Sequence, residues 1–202
     1  MIVVDASAFL SVVLGEPSGD AVLNALLCGS GGMAGRARLG SQSEGASGRG
    51  EAARAKRLRE THVDVEGRDG GGSEPLVAPE FLALEVLNSI VQLRRRARRM
   101  GMKVDSASVI GVEADRLARA VRAHFEELGV TLESFSSRDD FDRTSQIAEQ
   151  CGLSSFDAVY VAFALHRGAR LLTLDRAMAA AAASVGVVTL PDTTFDASSD
   201  PN

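Results

Sequence analysis

The chain has 202 residues, of which 45% are hydrophobic and 24% charged, and a formal net charge of -5. That balance gives one domain with room for a substantial core, and it excludes both a wholly disordered chain and a uniformly basic polyanion binder, though not a local basic patch. Two cysteines, Cys28 and Cys151, exclude a dense disulfide framework and fit a reducing cytoplasm.

The opening, MIVVDASAFLSVVLGEP, has no basic leader and carries Asp5 inside its apolar run, which argues against a signal peptide. Residues 2–4 read as a short buried strand, and ASAFLSVVLGE after Asp5 has apolar residues at helical spacing. Pro17 suits the first turn of a second helix, which stops at Gly29. Residues 29–74 then read as a long flexible Gly/Arg-rich insertion. Twelve of the 20 glycines fall between Gly29 and Gly72, and only residues 51–60 have helix-forming composition.

Order resumes with PLVAP as a strand and EFLALEVLNSIVQLRRRARR as a helix with a broad apolar face. A further helical stretch spans 107–129 with a break possible at Gly111, and VTLESF follows as a strand. The remainder alternates helix DDFDRTSQIAEQCG, helix SSFDAVYVAFALHRG, strand RLLTL, helix DRAMAAAAAS and strand VGVVTL. Such alternation predicts parallel pairing, hence a three-layer α/β/α domain over residues 1–192 with a central, mostly parallel sheet. Residues 193–202 read as a polar tail. The Ala-rich run over 177–190 is shorter than the roughly 20 residues a membrane-spanning helix needs, so no membrane association is expected.

Four carboxylates stand out by context. Asp5 and Asp175 each separate an apolar strand from a helix, where ligands of open α/β sheets gather; Asp is also a favoured N-cap, so capping stands as the alternative for both. Asp157 enters the apolar helix AVYVAFAL. Glu85 lies among Leu84, Val86 and Leu87, where an unpartnered charge is costly. Clustered acids raise one another's pKa values unless a cation neutralises them, and Mg²⁺ or Mn²⁺ suits hard oxygen ligands. Zinc suits the chain less well, since His62, His124 and His166 are scattered without ligand spacing.

In order along the chain, MIVVDASAFL, PEFLALEVLNSI, SSFDAVYVAFAL and LLTLDRAM resemble the four acidic motifs of the PIN-domain nucleases, especially the VapC-type toxins of toxin-antitoxin pairs. The resemblance covers residues 1–28 and 75–190; the expanded segment between Asp5 and Glu85 departs from it. It implies a PIN-like fold and a Mg²⁺-dependent endoribonuclease. Asp5 and Asp157 would be direct metal ligands, Glu85 and Asp175 would complete the cluster, and Ser7, Asn88 and Thr173 would orient those carboxylates by hydrogen bonds. It further implies an RNA substrate, a small antitoxin protein as partner and a homodimer.

Arg94, Arg95, Arg96, Arg98 and Arg99 form a cluster that reads either as a phosphate contact or as a solvated helix end complementing the helix dipole. The one tyrosine, Tyr160, belongs to an apolar helix, and base stacking on exposed rings is not expected. Two other functions fit the same residues: a non-catalytic PIN-like module that binds RNA or protein, and a different Mg²⁺-dependent phosphohydrolase.

Overall fold

The computed structural model describes residues 1–28, 74–103 and 109–191. The expected insertion and its helix at 51–60 lie outside the described residues, Glu74 apart, and so does the polar tail. Strands β1 (Ile2–Val4), β2 (Leu76–Pro79), β3 (Val130–Glu133), β4 (Arg170–Leu172) and β5 (Thr189–Leu190) form one sheet in the order β3-β2-β1-β4-β5. All four pairings are parallel. Every residue of β1 is buried, as expected of a strand covered on both faces.

Seven helices among the described residues flank the sheet: α1 (Ala6–Val13), α2 (Pro17–Cys28), α3 (Leu82–Arg99), α4 (Ala114–Glu127), α5 (Arg138–Cys151), α6 (Ser155–Arg167) and α7 (Arg176–Ser184). From β1 the chain steps outward through β2 to β3, then returns past β1 to β4 and β5. Because parallel crossovers are right-handed, the outward steps put α1 to α4 on one face, and the return puts α5 to α7 on the other. The architecture is therefore three-layered α/β/α. Phe9 of α1 stacks on Phe125 of α4 at 4.3 Å between ring centroids, closing the first layer. In the second layer, α6 packs against β1, β2, β4, α5 and α7. An unbroken run from Ala158 to Ala164 is buried, which explains why α6 is apolar all round.

One helix starts later than its composition predicts. Residues 109–112 are turns, and α4 begins only at Ala114. The guanidinium of Arg94 donates to the carbonyl oxygens of Ile110 (2.7 Å), Val109 (3.2 Å) and Val112, bracing that turn against α3. The last strand is also shorter than VGVVTL suggests, since only Thr189 and Leu190 pair with β4.

The order in which strands are added to the sheet reverses between β1 and β4, although every strand runs the same way. In open parallel sheets the crevice beyond the strand ends at such a switch point is where ligands bind. Asp5 follows β1 directly and Thr173 follows β4.

Candidate functional site

Asp5 sits at the switch point, directly after β1. Its backbone N–H donates to Leu172 O at the end of β4, and its side chain caps α1 by accepting from the Ser7 N–H at 3.2 Å. The same oxygen, Oδ2, accepts from the Ser7 hydroxyl and from Thr173 Oγ1 at 2.9 Å. Ser7 Oγ in turn accepts from the Leu174 N–H at 3.0 Å, and Thr173 Oγ1 from the Asp175 N–H at 3.0 Å. Two hydroxyls thus lock a carboxylate that is only 2% exposed between the strand ends β1 and β4. Burial is the largest influence on its pKa and pushes it above the usual carboxylate range, although four hydrogen bonds from Ser7, Thr173 and Ala6 act to lower it.

Glu85 lies in the first turn of α3, half-buried, on the edge of the helix that turns from core to solvent. Its Oε2 accepts from the phenolic O–H of Tyr160 at 2.8 Å. Tyr160 is wholly buried in α6 and packs edge-on against Phe81, with ring centroids 5.4 Å apart. Burial raises the Glu85 pKa most, and the nearby negative charges of Asp5 and Asp157 raise it further. The Tyr160 phenol is pushed up by burial and then by the charges of Glu85, Asp5 and Asp157. No cation among the described residues offsets the charge at Asp5 or Glu85.

Asp157 occupies the first turn of α6. Ser154 caps that helix, accepting from the Asp157 N–H at 3.2 Å and donating its hydroxyl to Asp157 Oδ2 at 2.7 Å. Asp5, Glu85 and Asp157 therefore come from three helix starts at one end of the sheet and share one electrostatic field.

Asp175 is placed differently. It is exposed, it caps α7, and its Oδ1 accepts from the Ala177 and Met178 N–H groups at 2.8 and 3.0 Å. Its link to the centre is indirect, through its own N–H and Thr173. Asn88 is exposed one turn beyond Glu85, with no hydrogen-bond partner for its side chain among the described residues. Of the three residues expected to orient carboxylates, Ser7 and Thr173 bond Asp5, whereas Asn88 bonds none.

Two features lie outside the sequence reading. Tyr160 belongs to the site; the available signal was a lone phenol in an aliphatic helix, one turn from Asp157, where a buried O–H requires a partner. Exposed phenylalanine rings are also present. Phe156, directly before Asp157, is 70% exposed, and Phe141 is 57% exposed.

Hard oxygen donors in a shared, uncompensated negative field have the chemistry that Mg²⁺ or Mn²⁺ ligation requires. Among the described residues no group of three or more His, Cys, Asp or Glu side chains could hold a metal ion as positioned. Mg²⁺ commonly takes only one or two carboxylates and keeps several waters, so three carboxylates at ligand distance are not a requirement. No helix among the described residues is long and apolar enough to cross a membrane.

A scan against protein-family models finds no match, and a search of curated proteins finds none. Among solved structures the chain is similar to the crystal structure of PAE2754 from Pyrobaculum aerophilum, at 17% identity over 93% of this chain and 82% of that one, with a TM-score of 0.47. A likeness of that size carries no argument about fold or activity.

Proposed function

We propose that the protein is a Mg²⁺-dependent endoribonuclease that hydrolyses RNA phosphodiester bonds, and that it is the toxin of a toxin-antitoxin pair. The observation that carries the reading is the convergence of Asp5, Glu85 and Asp157 on one negative field at the switch point, with no cation of the described chain to balance it. Asp5 and Asp157 would hold the metal, with Glu85 and Asp175 completing the acidic set. When bound, Mg²⁺ lowers the pKa of water and stabilises charge on phosphoryl oxygens.

The chain's own contribution is positioning. Ser7 and Thr173 fix the Asp5 carboxylate by two hydroxyl donors, so its orientation is set before substrate arrives. Tyr160 holds Oε2 of Glu85 by its phenolic hydroxyl. Ser154 does the same for Asp157. Asp5 and Tyr160 are themselves buried, which strengthens the hydrogen bonds that each makes.

Regulation by a small antitoxin protein and a homodimeric state, both from the family resemblance of the four motifs, and a cytoplasmic location, from the two cysteines, complete the proposal. The test is incubation of purified protein with structured RNAs in Mg²⁺ or EDTA. Binding without cleavage favours a non-catalytic module, and hydrolysis of small phosphate esters without RNA cleavage favours another phosphohydrolase.

A further inference from the structure

Helix α3 carries a continuous polar stripe that starts at the acidic centre and ends in arginines. Residues Glu85, Asn88, Gln92, Arg96 and Arg99 recur at three- and four-residue steps, the spacing that keeps side chains in line along one helix face, and Arg95 borders them. Leu82, Val86 and Ile90 bury another face in the core. Asn88, Gln92, Arg95, Arg96 and Arg99 are exposed, and Glu85 is half-buried at the head of the row.

The five arginines of this helix end divide into two kinds. Arg94 is consumed by the carbonyls of the 109–112 turn. Arg95, Arg96, Arg98 and Arg99 are exposed, and none makes an ion pair among the described residues. At about 1.5 Å rise per residue, Arg95 to Arg99 stand roughly 15 to 21 Å from Glu85 along the axis. Arg98 is turned about 140° from Glu85 around the helix and lies off the stripe.

We infer that this stripe is the track on which a single-stranded RNA backbone lies as it enters the acidic centre, with Arg95, Arg96 and Arg99 holding phosphates a few nucleotides from the bond to be cut. The inference rests on the ribonuclease reading and adds to it a substrate-binding surface. Guanidinium forks match phosphate oxygens, and a row of them in line with the carboxylates complements a chain of evenly spaced phosphates.

The test is fluorescence anisotropy of a labelled single-stranded RNA, in EDTA, across about 50 to 200 mM salt. The triple variant Arg95→Gln, Arg96→Gln, Arg99→Gln is expected to bind more weakly and to lower the slope of log K against log salt by about 2, roughly 0.7 for each lost phosphate contact. Arg98→Gln is expected to leave affinity and slope unchanged. An unchanged slope in the triple variant overturns the track, as does an equal loss per charge from Arg98→Gln. Poly-glutamate that displaces RNA as well as unlabelled RNA of equal charge also overturns it and reassigns the stripe to an acidic protein. Cleavage is scored separately in Mg²⁺. Wild-type protein that binds with the expected slope but never cuts keeps the track and sinks the nuclease, whereas cutting with a slope indifferent to the triple change sinks the track alone.

Discussion

The hydroxyl of Tyr160 donates to Oε2 of Glu85 at 2.8 Å, joining α6 to the first turn of α3 across 75 positions of the chain. A phenol at the bottom of an apolar layer thus sets the direction of a carboxylate at its mouth. Tyr160→Phe keeps the ring against Phe81 and removes only the donor. RNA cleavage and Mn²⁺ affinity are each expected to fall about 10- to 100-fold, the usual effect of removing a group that orients a ligand. Single-turnover cleavage and Mn²⁺ titration followed by electron paramagnetic resonance check this, with unchanged circular dichroism showing that the fold survives.

Thr173 is 1% exposed and serves two partners, donating to Asp5 and accepting from the Asp175 N–H. Thr173→Val conserves shape, removes one of the donors to Asp5 and leaves the Asp175 N–H without its acceptor. A loss of about 1 to 3 kcal/mol is expected, the penalty for unsatisfied buried polar groups, and urea unfolding measures it.

Asp175 separates capping from chemistry. Its Oδ1 holds two N–H groups of α7, so Asp175→Ala is expected to cost about 1 kcal/mol in thermal or urea unfolding. Asp175→Asn keeps an acceptor and is expected to change stability by only a few tenths of that. Cleavage by Asp175→Asn should exceed that by Asp5→Asn or Asp157→Asn, because Asp175 is exposed and its Oδ1 is already engaged in capping α7.

The raised carboxyls give stability a definite pH dependence. Asp5 and Glu85 have folded pKa values above their ordinary 3.8 and 4.5, so the folded state binds more protons than the unfolded state. Their contribution is most favourable below those ordinary values, and it declines as pH rises through the folded pKa values. Metal-free protein is therefore expected to lose stability from these two groups as pH rises from about 4, and Glu85→Gln to lessen the loss. Mg²⁺ at a hundred times its Kd should restore about 2.7 kcal/mol at neutral pH, read as a shift in the urea midpoint.

Much of the layer order is legible in residues alone, because the short apolar runs before Asp5 and Pro79 and helical spacing in EFLALEVLNSI are local signals. The late start of α4 has a local sign in the break possible at Gly111, but the contact that braces the turn is not local: Arg94, 15 to 18 positions earlier, donates to three of its carbonyls. Arg94→Ala is accordingly expected to cost about 2 to 3 kcal/mol. Exposed Arg96→Ala should cost almost nothing, a contrast that urea unfolding resolves.

The site divides the same way. A carboxylate between a strand and a helix can be read locally as a cap, and all of Asp5, Asp157 and Asp175 do make bonds within their own first turn. What joins Asp5 to Thr173 spans 168 positions, and Glu85 to Tyr160 spans 75. Periodicity carries no information about such pairs, so Thr173 entered through a family resemblance and Tyr160 not at all. Asn88 shows the converse, since its position one turn from Glu85 is right for a helix face yet its side chain points to solvent.

The central claim is that the Asp5, Glu85 and Asp157 field exists to hold a divalent cation for RNA cleavage. Its most direct test compares wild-type protein with Asp5→Asn and Asp157→Asn on one labelled RNA, with Mg²⁺ and with EDTA. Cleavage by the wild type in Mg²⁺ alone, abolished by either substitution while the fold persists, is the predicted result. Cleavage that survives EDTA, or that survives both substitutions, would contradict it.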